Sequence, residues 1–324
     1  MKVAVVIPCY GVANSVLEVI TAVPDNVDLV ICVDDACPEH SGELITKHCS
    51  DERVVVVQHD SNQGVGGAMV SGYAEALKQG AEIIVKLDGD GQMAPADIPR
   101  IIQPILQGEA DYTKGNRFYL LANLKGMPLG RLLGNAALSF MSKLSSGYWK
   151  NFDPTNGFTA IHRNVLAALP LEQIHRRYFF ESDMLYQLST LRAVVQDVPQ
   201  RAHYGDETSH LKVASSIPLF FWLHTRNFFR RIFYNYFLRD FHLASIEWLL
   251  GPALLLFGLV FGTLTWSSNV AQQVQTPIGT VMLATLPIII GLQLLLSALG
   301  FDIDNQPRQP VYPQLNFNQD ESLC

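Results

Sequence analysis

Apolar and polar positions divide the chain into two regimes. Over the first hundred or so residues, short β-branched and aliphatic runs alternate with stretches whose apolar residues recur at helical spacing. Val3 to Ile7, Leu29 to Val33, Val54 to Gln58 and Glu82 to Leu87 read as strands. Asn14 to Val23, Glu43 to Cys49 and Gly66 to Gln79 read as helices. Strands that are apolar almost throughout are those buried on both faces. The strand–helix rhythm predicts an α/β domain with a parallel, right-handed sheet and helices on both sides. Residues from about 110 to 212 are richer in Gly, Asn, Arg and aromatics and fit a region that completes the sheet.

From Ile217 the pattern changes. Phe220, Phe221, Trp222, Phe228, Phe229, Phe233, Tyr234, Tyr236 and Phe237 interleave with Arg226, Arg230, Arg231 and Arg239. Aromatics and arginines at helical spacing describe an amphipathic helix at a bilayer surface; a core helix with a solvated face gives the same pattern. Ile246 to Trp266 and Thr280 to Phe301 follow, two apolar runs in which Glu247 is the one charge. Each is long enough for a hydrocarbon core of about 30 Å. Trp248 and Trp266 stand near the ends of the first run, as interfacial anchors do. The arginines before it place the preceding domain on the cytoplasmic side by the positive-inside rule. A second span would bring the tail back to that side. The reading is therefore a domain over 1–212, amphipathic juxtamembrane helices over 213–244, two transmembrane helices over 245–302, and a tail over 303–324. That tail is rich in Pro, Gln and Asn and is expected to be extended or disordered.

The formal charge of −7 excludes nucleic acid as a partner class, because a phosphate backbone calls for a basic face. Five cysteines at irregular spacing form no disulfide framework and no metal knuckle, which points to a reducing compartment. The apolar run at Met1–Pro8 is too short for a signal peptide and reads as the first strand. His203 and His210 lack zinc-ligand spacing.

Polar clusters sit at three strand ends: Pro8-Cys9-Tyr10, Asp34-Asp35 and Asp88-Gly89-Asp90. In an open α/β sheet these ends share one edge, which is the ligand crevice. Asp88 and Asp90, one residue apart on an extended backbone, point to the same side. Two hard oxygen ligands there can hold Mg²⁺ or Mn²⁺ against a diphosphate, although an isolated Asp-Gly-Asp also makes an ordinary solvated turn. Gln92 can add an amide oxygen. Asp34 and Asp35 can accept hydrogen bonds from a base or a ribose, or can cap a helix. Asn62-Gln63-Gly64-Val65-Gly66-Gly67-Ala68 opens a helix where glycines permit close approach, either to an anion or to a neighbouring backbone. Glu181 and Asp183, bracketed by aromatics, can act as general bases or complement a helix dipole. Arg117 and Arg131 are candidate phosphate clamps.

Taken in order, these segments resemble glycosyltransferase family two. The closest resemblance is to its membrane-attached members of the dolichol-phosphate mannosyltransferase-like, polyprenyl-phosphate type. The segments are Val5 to Tyr10, Val33 to Asp35, Asn62 to Ala68, Asp88 to Gln92, Gly115 to Arg117, Asp153 to Phe158 and Phe180 to Leu185. The resemblance implies a GT-A domain, that is, a Rossmann-like mixed, mostly parallel sheet. It implies a metal-dependent, inverting transfer from a UDP- or GDP-linked sugar to a polyprenyl (dolichyl or undecaprenyl) phosphate. Pro8, Tyr10 and Asp35, with Asp34 and Gly66 nearby, would hold the nucleotide sugar. Asp90 and Gln92 would ligate Mg²⁺ or Mn²⁺, and Asp88 would stand between donor and acceptor. Arg117 and Arg131 would bind the acceptor phosphate, and Asp183 would lie near the acceptor.

The sequence departs from the family pattern in three places. Gly11-Val12 follows Tyr10 where Asn-Glu is common, Val65 replaces a lysine, and Tyr204 stands where a phosphate-binding arginine is expected. Arg201 or Lys212 can substitute for that arginine. Two rival readings stay open: a saccharide or glycolipid hydroxyl as acceptor, and a non-catalytic membrane nucleotide-sugar binder or scaffold. The sequence does not fix the oligomeric state, and a homo-oligomer is allowed.

Overall fold

The computed structural model describes residues 1–119, 129–200 and 213–315. The chain divides into two compact units: residues 1–228 together with 307–324, and residues 229–306.

The first unit is built on a seven-stranded sheet. In chain order its elements are β1 (Val3–Cys9), α1 (Val16–Thr21), β2 (Leu29–Asp34), α2 (Ser41–His48), β3 (Val54–Gln58), α3 (Val65–Lys78), β4 (Ile83–Lys86) and α4 (Ile98–Leu106). Then come β5 (Tyr112–Asn116), α5 (Leu129–Ser146), β6 (Thr159–His162), α6 (Arg163–Ala168), α7 (Phe180–Leu191), β7 (Val195–Pro199) and α8 (Val213–Phe233), which leads into the second unit. The strand order is β3-β2-β1-β4-β6-β5-β7. Only β6 runs against its neighbours, pairing antiparallel with β4 and β5. The sheet is thus mixed and mostly parallel.

Side-chain alternation explains why the strands are apolar throughout. Val3, Val5, Ile7 and Cys9 pack into one core, with α1 and α4. Ala4 and Val6 pack into a second core on the opposite face, with α3, α6 and α7. Both faces are covered, as parallel strands require. The chain winds outward from β1 to β3 and then returns to the other side of β1 as β4. The switch point therefore lies between β1 and β4, where open α/β sheets bind ligands.

Within the tail expected over 303–324 to be extended or disordered, Val311 and Tyr312 are held by specific hydrogen bonds within the first unit. Their backbone N–H groups donate to the buried carboxylate of Asp111 at 2.8–2.9 Å. The Tyr312 ring stacks on His162 with centroids 4.0 Å apart, and its carbonyl accepts from Asn164 Nδ2 at 3.0 Å. Composition missed this because backbone groups make the docking bonds. Residues 316–324 lie outside the described residues.

The second unit contains a π-helical turn at Tyr234–Arg239 and two long helices, α9 (Leu243–Ala271) and α10 (Ile278–Asp304). Both are long and apolar enough to cross a membrane, with mean hydropathies of 1.9 and 2.2. The 29 residues of α9 span about 43 Å. Core helices of soluble proteins bury their leucines, whereas Leu249, Leu256, Leu264 and Leu296 are all more than half exposed. Glu247 is buried and accepts from Ser297 Oγ at 2.8 Å. Asp302 is buried too, receiving both Arg231 amino groups at 2.6 and 2.9 Å and the Tyr236 hydroxyl at 2.7 Å.

Candidate active site

The C-terminal ends of β1, β2 and β4 lie side by side. Cys9 is in register with Asp34, and Val6 with Lys86. The sheet thus gathers Pro8, Tyr10, Asp34, Asp35, Asp88 and Asp90 at one edge. Tyr10, just past the end of β1, is 54% exposed.

The acid pair sits at a turn, because β4 ends at Lys86 and the chain turns at Gly89–Asp90. The extended geometry expected for Asp88 and Asp90 is therefore corrected. The turn is fixed from two sides. Ser15 Oγ donates to the Gly89 carbonyl at 2.7 Å, and the Gln92 N–H donates to Asp90 Oδ1 at 3.0 Å. The Gln92 backbone thus meets Asp90. Both aspartates are half-buried.

Behind Asp88 stands a residue that motif reading passed over. Lys86 is buried, and its Nζ donates to Asp88 Oδ1 at 2.6 Å and lies 3.4 Å from Glu181 Oε1. Burial alone would push this ammonium down. The carboxylates of Asp88 and Glu181 outweigh it and hold Lys86 above its ordinary value. Burial pushes the Glu181 carboxyl up, against the pull of Lys86. A lysine inside an apolar strand was the available signal, since lysine is almost never buried unless paired.

Asp35 is tightly engaged. Its Oδ1 meets His59 Nδ1 at 2.7 Å and accepts from Gln63 N at 2.8 Å, and its Oδ2 accepts from Gly64 N at 2.7 Å. His59 Nε2 in turn meets Ser71 Oγ at 2.8 Å. Asp34 accepts from Cys37 N at 2.8 Å and Gly42 N at 2.7 Å, so it organises the turn into α2. The glycine segment faces protein. A Cβ on Gly66 would stand 2.3 Å from the His175 carbonyl, and Gly67 N donates to the Arg176 carbonyl at 3.0 Å. The close approach that the glycines permit is thus to the 175–177 backbone.

Asp183 is 1% exposed. Its Oδ2 accepts from His175 N and its Oδ1 from Asn227 Nδ2, each at 2.8 Å. It ties the 175–177 segment to α8, where His224 also meets Ser145 Oγ at 2.8 Å. Arg117 is clamped by Asp153 through two bonds of 2.8 Å. Burial would raise Asp153, and Arg117 overrides burial to hold it below its ordinary value. Arg201 and Lys212 lie outside the described residues, and so does the side chain of Arg131, whose backbone is in α5.

A divalent cation of the Mg²⁺ or Mn²⁺ kind takes one or two carboxylates and completes its shell with substrate phosphates and water. The half-buried pair at the switch point suits that donor set. No cluster of three or more His, Cys, Asp or Glu suited to a metal occurs among the described residues.

A mostly parallel α/β sheet with an acid pair at its switch point defines a class of open-sheet domain whose ligand crevice lies at that edge. The chain belongs to glycosyl transferase family 2, whose pattern it matches over residues 4–169. It is 29% identical over 215 residues to a UDP-N-acetylglucosamine–dolichyl-phosphate N-acetylglucosaminyltransferase of Methanococcus voltae, covering 62% of this chain and 85% of that one. It is 28% identical over 203 residues to an undecaprenyl-phosphate mannosyltransferase of Micrococcus luteus, covering 61% and 82%. The fold is similar to that of glucosyl-3-phosphoglycerate synthase from Mycobacterium tuberculosis, solved with Mn²⁺, UDP and glucosyl-3-phosphoglycerate. There the TM-score is 0.51 at 18% identity, with 71% of this chain and 79% of that one covered.

Proposed function

We propose that this protein is a membrane-anchored, inverting glycosyltransferase that moves a sugar from a nucleotide-sugar donor to a polyprenyl phosphate. The observation that carries the reading is one chain holding both an acid pair at the switch point of a family 2 sheet and two lipid-length apolar helices. The two relatives named above are sugar transferases to dolichyl and undecaprenyl phosphate.

In this reading Tyr10 and Pro8 cover the base, and Asp35 anchors the wall behind it. Asp90, with Asp88 beside it, would hold Mg²⁺ or Mn²⁺. When bound, such an ion offsets charge on the departing nucleoside diphosphate. Asp88 faces the sugar, oriented by Lys86. The acceptor oxygen attacks the anomeric carbon from the face opposite the leaving group, which inverts configuration. A phosphate acceptor arrives ionised and needs no general base. The engagement of both Asp183 oxygens in buried hydrogen bonds favours such an acceptor over a sugar hydroxyl. Asp183 then positions the 175–177 segment. Arg226 and Arg230 of α8 would lie on the cytoplasmic side, beside the acceptor headgroup in the leaflet.

The test is a screen of UDP- and GDP-sugars against membranes containing the protein and polyprenyl phosphate, with mass analysis of the lipid fraction. A glycosylated lipid phosphate is the expected product. Transfer only to saccharide or glycolipid hydroxyls would reject the acceptor assignment. Donor binding without transfer to any acceptor would reject the enzyme assignment.

A further inference from the structure

Lys86 stands outside the segments that carry the family resemblance, yet it contacts two residues within them, Asp88 and Glu181. Three separate elements build it: Lys86 is the last residue of β4, Asp88 belongs to the turn that follows, and Glu181 belongs to the first turn of α7. Lys86 is 1% exposed, and the Glu181 side chain is 12% exposed. Asp88 is the more open member at 28%, so the cluster runs from the interior to the mouth of the site.

The surroundings leave space for this arrangement and little else. A Cβ on Gly157 would stand 2.2 Å from Lys86 Nζ and 2.6 Å from Asp88 Oδ2. Gly157 immediately precedes Phe158, which is buried in the core beneath the sheet edge. The bare backbone at Gly157 and the Lys86 ammonium thus bound the Asp88 side chain on its inner side. An ammonium buried solely for stability has no need of a partner on the ligand side, because Glu181 alone neutralises it. Here the shorter of the two contacts goes to the residue that faces the ligand.

We propose that Lys86 is a positioning residue for the transfer reaction. Glu181 and the bare Gly157 hold it in place, and it holds the Asp88 carboxylate in its working orientation before the donor arrives. The inference rests on the function proposed above and adds residues to it. Preorganisation of this kind acts on the chemical step more than on donor binding.

The experiment measures steady-state transfer by the full chain in membranes, alongside thermal melting of each variant. Lys86→Met should lower kcat by roughly a hundredfold while KM for the donor stays within about threefold. Gly157→Ala changes no charge, yet places a methyl where Nζ and Oδ2 now lie, and it should lower kcat in the same way. Lys86→Met with Glu181→Met removes both buried charges. It should restore the melting temperature without restoring kcat.

Wild-type kcat in either Lys86→Met or Gly157→Ala would overturn the proposal. Recovery of kcat in the double variant would also overturn it, by showing that Lys86 only neutralises Glu181. A wild type that transfers no sugar sinks the functional reading and this inference with it. An active wild type with an equally active Lys86→Met sinks this inference alone.

Discussion

The carboxylates of the site divide by what already holds them. Asp34, Asp35 and Asp183 are buried and spend their oxygens on backbone and side-chain donors. Asp88 and Asp90 are half-buried on a turn at the mouth. The second group is the more exposed of the two. Asp90→Asn keeps the shape of the turn and removes charge, so transfer should fall by roughly a hundredfold or more, as expected for loss of an electrostatic contact to the leaving group. The assay is product formation at saturating donor, and near-wild-type turnover would refute a charge-based role. The acid pair was legible in sequence because an apolar strand ending in two aspartates is a local pattern. The Lys86–Glu181 contact was not, because its partners are far apart in the chain and only the fold of β4 against α7 brings them together.

Among the elements, those with clean periodicity were readable. The strand expected over Val54 to Gln58 is the strand observed, and β1, β2 and β4 differ only at their ends. By contrast, β5, β6 and β7 could not be read. Residues Tyr112–Asn116 are buried along their whole length, yet Thr113, Lys114 and Asn116 are polar, so no apolar run marks them. Their burial is sustained by contacts such as Asn116 Nδ2 to Asp197 at 2.7 Å, which sequence spacing does not reveal. In the second unit, the same principle makes the end of α10 vulnerable. Asp302→Ala would leave the Arg231 guanidinium buried without its carboxylate, at a cost of about 3–5 kcal/mol. Thermal melting of the detergent-extracted protein should show the loss, and Asp302→Asn should lose less because it keeps an acceptor for Tyr236 and Arg231. Equal melting temperatures for Asp302→Ala and wild type would disprove the role.

For the molecule as a whole, acid should act through buried imidazoles. Burial pushes His162 and His224 down to about 4, whereas the unfolded chain holds histidine near 6.5. The unfolded state therefore binds protons first. Stability is full above about pH 6.5, falls as pH drops, and has lost this contribution near pH 4. Melting curves at pH 7.5 and 5 should show the decline. His162→Phe, which can still stack on Tyr312, should make it shallower, and an unchanged slope in that variant would exclude His162 as a source. The strap formed by Val311 and Tyr312 carries a further consequence. Asp111 accepts from Val194 N and also from donors that lie 200 positions later in the chain, beyond both apolar helices. Translation releases those donors only after the hairpin has emerged from the ribosome. The hydrogen bonds of Asp111 to Val311 and Tyr312 therefore form only after both apolar helices have been synthesised.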